Sequence, residues 1–448
     1  MQGPPSDLPR KLYTLAWWLA LPLVLLRLWR RGRREHGYRR HIGERLGFYG
    51  VPKLPISPIA PSANVMPLLW VHAVSVGETR AAEPLVEALL LAYPAHRILL
   101  THMTPTGRAT GAALFAHHGD HVTQCYLPYD TGWMVGRFLR FYRPQICLLI
   151  ETEVWPNLVA QCNRHAIPVA LVNARLSVRS LARGVRLAGL IGAAARGLAC
   201  AGAQTAADAA RLQQLGVTPV TVTGSIKFDV VPPPAQVALG RQWRRQFGQR
   251  AVLLCASTRD GEEAAILAAL QLLPVDALLV LVPRHPQRFD AVAAMVAACG
   301  MQSMRRSALG TDALAPSIQV LLGDSMGEMF SYFAAADLAF IGGSLLPLGG
   351  QNLIEACAVG TPVLIGPHTF NFAVVTDDAI AAGAALRVED AASLLASAQA
   401  LLGDAAVRTA MATAALSFAR QHRGATGRTM QMLQPILPVW PLAGTRRV

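Results

Sequence analysis

Short apolar runs recur along the chain, each closed by glycines, hydroxyls or charges and followed by a segment with helical spacing. Pro67 to Ala73, Arg97 to Thr101, Gln145 to Ile150 and Pro168 to Val172 are apolar with little alternation, the pattern of strands covered on both faces. A second series follows at Ala251 to Ala256, Ala277 to Val282, Gln319 to Leu322, Asp337 to Ile341 and Gly360 to Pro367. Between them stands Val230-Val231-Pro232-Pro233-Pro234, where consecutive prolines can continue neither a helix nor a central strand. The chain is therefore expected to divide into an N-terminal segment 1–45, a domain 46–229, a proline linker 230–234 and a domain 235–448. Strands alternating with helices predict a parallel sheet in each domain, with ligands beyond the carboxyl ends of the strands.

The polar clusters that close the strands should therefore share a rim. In the first domain, Val74-Ser75-Val76-Gly77-Glu78 places Glu78 at a strand-to-helix turn, where the helix dipole favours an ionised carboxylate able to act as a general base. The plainer reading is a first-turn glutamate that stabilises its own helix. Glu151 and Glu153 close the third strand, Asn173 the fourth, and Lys227 lies just before the linker. His72, at the end of the first strand, reads as a strand-end residue.

In the second domain, Arg259 and Arg284 stand where a phosphate or an anionic sugar would need cationic forks. Gly327 and Glu328 open a helix beside them. The segment from Gly342 to Ala356 reads as a glycine-rich turn running directly into a helix, with backbone N–H groups aimed at an anion and with Asn352 and Glu355 in the first turn. Singly, each arginine could be a surface ion pair and each polar helix residue a cap. Together at one sheet edge they favour a nucleotide site.

Composition narrows the classes. The chain has 448 residues, 52% of them hydrophobic and 15% charged, which suits two helix-covered parallel sheets and excludes disorder as the main state. Seven cysteines without a C-x-x-C pair imply buried thiols, with no disulfide framework or zinc cluster of that type. There is no D-x-D motif, so no metal and no cofactor is called for. The net charge of +14 is concentrated: residues 1–50 hold ten Lys/Arg against three Asp/Glu. No nucleic-acid-binding signature accompanies it, and nucleic acid is not expected as a partner.

Leu12 to Leu26 is apolar apart from Tyr13 and Thr14, contains Trp17 and Trp18, and is followed by Arg27, Arg30, Arg31, Arg33 and Arg34. Fifteen residues fall short of the roughly twenty that span a bilayer as a helix. Tryptophans at headgroup level and a positive block on the cytoplasmic side predict a monotopic or short-spanning anchor; the alternative is an amphipathic helix packed on the first domain.

The ordered blocks HAVSVGE, MTPTGR, ETEVWPN, NARLS, GSIKFD, VPRHPQRF, GDSMGEM, IGGSLLPLGGQNLIEA and GPHTFNF resemble the 3-deoxy-D-manno-octulosonic acid (Kdo) transferases of bacterial lipopolysaccharide assembly, over nearly the whole chain. The resemblance implies an α/β GT-B architecture, two Rossmann-like domains facing across a cleft behind an N-terminal membrane-anchor helix. It also implies an inverting transfer of Kdo from CMP-Kdo to the tetraacyldisaccharide lipid A precursor, lipid IV(A), at the cytoplasmic face of the inner membrane. The first domain would take the acceptor and the second the CMP-Kdo. Glu78 of SVGE would be the base, and CMP would contact Pro283, Arg284, Met326, Gly327, Glu328, Asn352, Leu353, Ile354 and Glu355. Gly77, Lys227 and Arg259 are further candidate contacts to donor or acceptor. Gln351 stands where relatives often have histidine, and Thr258-Arg259-Asp260 replaces a threonine, histidine, glutamate run. A UDP-sugar transferase of the same architecture and a catalytically silent membrane scaffold remain the alternatives.

Overall fold

The structure is a computed structural model describing residues 7–33, 35–50, 66–274 and 276–437; Arg34 of the basic block lies outside them. The chain forms two units, residues 1–229 with 424–448, and residues 230–423.

The first unit holds strands β1 (Leu68–His72), β2 (Arg97–His102), β3 (Val122–Tyr126), β4 (Ile146–Ile150), β5 (Val169–Ala174), β6 (Cys200–Ala203) and β7 (Val220–Val222). They form one sheet in the order β3-β2-β1-β4-β5-β6-β7, with every pairing parallel. The apolar runs show little alternation because both faces are covered. Leu69, Val71, Leu148 and Val172 pack in one core cluster, and Trp70, Cys147, Leu149 and Leu171 in the other. Burial of each large side chain contributes about 1.5–3 kcal/mol, so a polar substitution on either face would be costly.

The second unit holds β8 (Val252–Thr258), β9 (Leu278–Pro283), β10 (Ser303–Arg305), β11 (Val320–Leu322), β12 (Leu338–Ile341), β13 (Val363–Ile365) and β14 (Ala385–Arg387). Its sheet runs β10-β11-β9-β8-β12-β13-β14, also wholly parallel. In each sheet the chain builds first one side and then the other, although in the second β11 inserts between β10 and β9. The reversal lies between β1 and β4 in the first and between β8 and β12 in the second. A doubly wound sheet opens a crevice at that point, beyond the strands' carboxyl ends. The segments leaving β1, β4, β8 and β12 carry Glu78, Glu151, Arg259 and the glycine-rich turn.

The chain does not stay in the second unit to its end, as the expected domain 235–448 would require. The helix Ala425–Leu433 belongs to the first unit. Leu433 and Leu437 complete the core cluster around Leu148 and Val172. The carboxylate of Asp229 accepts from the backbone of Gly424, at 2.6 Å, and of Thr426, so it caps the returning helix. Leu433 belongs to a helix whose apolar partners in the first unit, Leu69 through Cys200, lie far upstream in the sequence, and no local pattern reports that. In the proline segment, Pro234 is already the first residue of the helix Pro234–Gln246, the helical position where a missing N–H costs nothing.

The N-terminal helix spans Leu8–Arg31, 24 residues, longer than its apolar stretch. It has two apolar sides. Trp17 stacks on Tyr129 with ring centroids 5.4 Å apart, and Asn157 Nδ2 donates to Thr14 Oγ1 at 2.9 Å, so one side packs on the first unit. Leu12, Leu15, Leu19, Leu23 and Leu26 are exposed. Anchor and packed helix are thus not exclusive alternatives: the same helix packs by one face and leaves an apolar face uncovered. By length and composition it is a candidate membrane span.

Candidate active site

In the first unit the helix Val76–Ala92 starts immediately after the β1 turn, with Ser75 as its N-cap. Glu78 is therefore inside the first turn and not on the loop before it. Its Oε2 accepts from the backbone N–H of Val74 at 2.5 Å and of Ser75 at 3.1 Å. This is the capping geometry of the plainer reading, yet it does not exhaust the group. Burial, and then the charges of Glu153 and Glu151, push its carboxyl up from 4.5 to about 7. A carboxylate that takes up a proton near neutrality is matched to general-base work.

After burial, two acidic neighbours on the far side of the switch point add to that shift. Burial and Glu151 also raise the Glu153 carboxyl above its ordinary range. Glu151 is held in the left-handed region, at φ 65°, and its Oε1 receives Lys227 Nζ at 2.7 Å. Such a conformation costs a non-glycine residue about 1–2 kcal/mol, and residues held in it cluster at functional sites. Lys227, drawn from a 3-10 turn just before the unit boundary, is thereby brought into the Glu78 cluster. Gly77 is exposed, and a Cβ built there would meet only Ser75 Oγ, at 4.0 Å.

His72 is fully buried, with Nδ1 2.8 Å from Thr101 Oγ1 and no partner for Nε2 among the described residues. Burial first, then His102, lower its pKa to about 3, so it is neutral at physiological pH.

In the second unit the β8 end is irregular at Ser257, which also adopts φ 56°. Gly342 permits this bend, since a Cβ there would lie 2.6 Å from Ser257 O. Pro283 pairs with Thr258, and Arg284 N donates to Thr258 O at 2.9 Å, which sets Arg284 beside Arg259. Burial lowers the His285 pKa, and the charges of Arg259, Arg284 and Arg288 lower it further, while Arg288 itself pairs with Asp260 and Glu263.

The glycine-rich segment departs from its expected form. Its helix, Ile354–Val359, begins only after a loop, so Asn352 precedes it and Glu355 alone lies in its first turn. Backbone N–H groups of the turn are also engaged. Buried Glu262 accepts from Gly343 N at 2.7 Å, Leu345 N at 3.0 Å and Arg259 N at 2.9 Å. A carboxylate thus answers two of the turn's donors, Gly343 N and Leu345 N. The role of Glu262 was not foreseen; its signal is a carboxylate three residues after Arg259, on a helix opened by Gly261.

Asn352 Oδ1 accepts from Ile354 N at 3.0 Å, and its Nδ2 donates to Glu355 Oε1 at 3.2 Å. Leu353 and Ile354 are fully buried, so any ligand contact from them would come from the backbone. Met326 and Gly327 are exposed at the turn before the helix Met329–Ala335, and Glu328 is its N-cap. Glu328 Oε1 receives Arg306 Nη2 at 2.9 Å, while Oε2 is buried without a partner among the described residues. The two departures also find places. Asp260 pairs with Arg288 at 2.9 Å, and a Cβ built on Gly343 would lie 3.2 Å from the Gln351 amide nitrogen.

Two Rossmann-like units with polar clusters at the strands' carboxyl edges form the GT-B architecture. Residues 40–230 match the family model described as 3-deoxy-D-manno-octulosonic-acid transferase (kdotransferase). The chain is 48% identical over 439 residues to the 3-deoxy-D-manno-octulosonic acid transferase of Bordetella pertussis, covering 95% of this chain and 99% of that protein. With the enzyme of the same name from Haemophilus influenzae it shares 35% identity, over 96% of this chain and 99% of the relative. The chain belongs to the Kdo transferases and acts in the transfer of Kdo during lipopolysaccharide biosynthesis. Among solved structures, Anabaena HepE in complex with UDP is similar at a TM-score of 0.56 and 14% identity, covering 83% of this chain and 99% of that one, a likeness of fold.

Proposed function

We propose that the donor is CMP-Kdo, that the acceptor is the tetraacyl lipid A precursor lipid IV(A), and that Glu78 is the general base. The observation that carries this reading is the Glu78 carboxyl, raised to about 7 at the switch point of the first sheet. The acceptor hydroxyl gives its proton to Glu78 as its oxygen bonds to the anomeric carbon of Kdo. The bond from that carbon to the CMP phosphate breaks, and CMP leaves with the electron pair, inverting the centre. Arg284 and Arg259 stabilise the charge that develops on the phosphate, an electrostatic role that needs no metal. Glu328 Oε2 and Glu355 supply acceptors for hydroxyl and amino groups of the nucleoside, while Pro283, Met326, Gly327, Asn352, Leu353 and Ile354 shape the pocket around it. Gly77 leaves room for the acceptor, and Lys227 holds Glu151 beside Glu78.

The exposed leucines of the helix Leu8–Arg31, followed by Arg30 and Arg31, hold the enzyme at the cytoplasmic face of the inner membrane, where an acylated acceptor resides. The test is incubation of the full chain with CMP-Kdo, generated in place, and the tetraacyl precursor, with products weighed by mass spectrometry. Mass increments of Kdo are expected, with CMP but not UDP as competitor. Binding of UDP in preference to CMP would overturn the donor assignment, and intact acceptor in the presence of bound CMP would overturn the acceptor.

A further inference from the structure

The helix whose first turn holds Glu78 carries another carboxylate, Glu87, about 13 Å further along its axis at 1.5 Å per residue. Facing it is the 3-10 segment Ala116–His121, which leads into β3. Glu87 Oε1 lies 2.8 Å from His118 Nε2 and 3.5 Å from His117 Nε2. The three ligand atoms all lie within 4.8 Å of one another. Side chains of consecutive 3-10 residues normally diverge by about 120°. Here the two imidazoles lie with centroids 4.0 Å apart and reach the same carboxylate oxygen. The His118 hydrogen bond accounts for one ring only. His117 is 64% exposed and could turn to water, yet it points to an oxygen that already has a partner. His118 itself leans on buried Phe115, at 6.5 Å between ring centroids, which limits its movement.

We propose that Glu87, His117 and His118 form a binding site for one divalent transition-metal ion, zinc above all, that ties the helix of Glu78 to the segment before β3. Two imidazole nitrogens and one carboxylate oxygen are zinc ligands, with bonds of about 2.0–2.1 Å, which put tetrahedral ligand atoms about 3.3 Å apart. The 3.5 Å spacing already meets this, the 2.8 Å hydrogen bond has to open by about half an ångström, and the two imidazole nitrogens, within 4.8 Å of each other, have to settle at the same spacing. The fourth position is left to water. Imidazole donors disfavour Mg²⁺ and Ca²⁺, which take oxygen ligands. The ion has no part in the transfer step, since its ligands lie at the other end of the helix from Gly77 and Glu78.

Metal-stripped, tag-free full-length protein is titrated with Co²⁺ and then Zn²⁺, following Co²⁺ absorption and calorimetric stoichiometry. A Cys299→Ser background removes the one exposed thiol among the described cysteines. One equivalent of four-coordinate Co²⁺, displaced by one Zn²⁺, is expected, with a higher Tm in zinc. Glu87→Gln and the pair His117→Ala with His118→Ala should each weaken that equivalent at least ~10-fold and abolish the zinc-dependent rise in Tm. Equal Tm values for the metal-free proteins would show that the variants fold. Wild-type protein that takes up no equivalent at micromolar Zn²⁺, or variants that bind it unchanged, would overturn the site.

Discussion

Both sheets are doubly wound and parallel, and their edges differ in charge. Beyond the first sheet, Lys227 pairs with Glu151, and burial first, then the charges of Glu153 and Glu151 on Glu78 and of Glu151 on Glu153, raise the Glu78 and Glu153 carboxyls. Beyond the second, burial lowers the His285 pKa and the charges of Arg259, Arg284 and Arg288 lower it further, while the local carboxylates Glu262 and Glu263 are engaged by backbone and by Arg288. In the function proposed above, one switch point supplies the proton acceptor and the other an anion receptor. The doubly wound frame sets where the chemistry stands, and the sign of the charge gathered there sets what it is.

The largest effect should come from the acidic edge. Glu78→Gln keeps the shape and removes the base, so kcat should fall by ~10²–10⁴-fold. CMP affinity, which belongs to the other unit, should stay within about twofold, read by calorimetry on the same preparation. Turnover close to wild type would remove Glu78 from the reaction.

Arg284→Ala is the counterpart on the cationic edge. A hydrogen bond to a charged group contributes about 1.5–3 kcal/mol, which makes the expected loss of CMP affinity about 10- to 100-fold. The pH profile should keep its wild-type acid limb, because Arg284 is no part of the Glu78 cluster. A mutant that binds CMP normally would show that the arginines form only ion pairs.

The pH dependence sharpens the contrast further. Glu78 must be ionised to act, so kcat/KM should fall as pH drops through about 7. After burial, Glu153 is the first cause of that raised value and Glu151 the second. Glu153→Gln removes a negative neighbour, stabilises the ionised form and should move the limb to lower pH. Lys227→Met leaves Glu151 uncompensated and should move it to higher pH. The sign for stability is also determined. A carboxyl with a raised pKa in the folded state favours folding when protonated, and that contribution is lost as pH rises from about 4.5 to about 7. A limb unmoved in both variants would mean that another group titrates.

Much of this was visible in the chain before any coordinates. Continuous apolar runs located strands of both sheets, because two covered faces leave little alternation to misread. Glu78, Arg259 and Arg284 could be placed on the edges because each follows such a run directly. The return of Ala425–Leu433 to the first unit was not visible, since its partners are remote in sequence. Nor was the occupation of the glycine turn by Glu262, because a carboxylate's hydrogen-bond partners depend on tertiary approach. Ser257, Glu151 and Asn173 at positive φ were hidden as well: none is a glycine, so composition gives no sign of the bend.

The smallest expected effect concerns Gly77, where stability and function should separate. A helical glycine without close neighbours is normally worse than alanine, by up to ~1 kcal/mol in a helix interior and less at this second position. Gly77→Ala should therefore leave Tm unchanged or slightly raised, since the new methyl meets only Ser75 Oγ, at 4.0 Å. If the bare backbone serves the approach of an acceptor hydroxyl to the adjacent Glu78, the same methyl should raise the acceptor KM severalfold, with CMP affinity constant. Alanine that changes neither KM nor kcat would mean that the acceptor approaches Glu78 from another side, and the open space at Gly77 would then be incidental to the acidic edge.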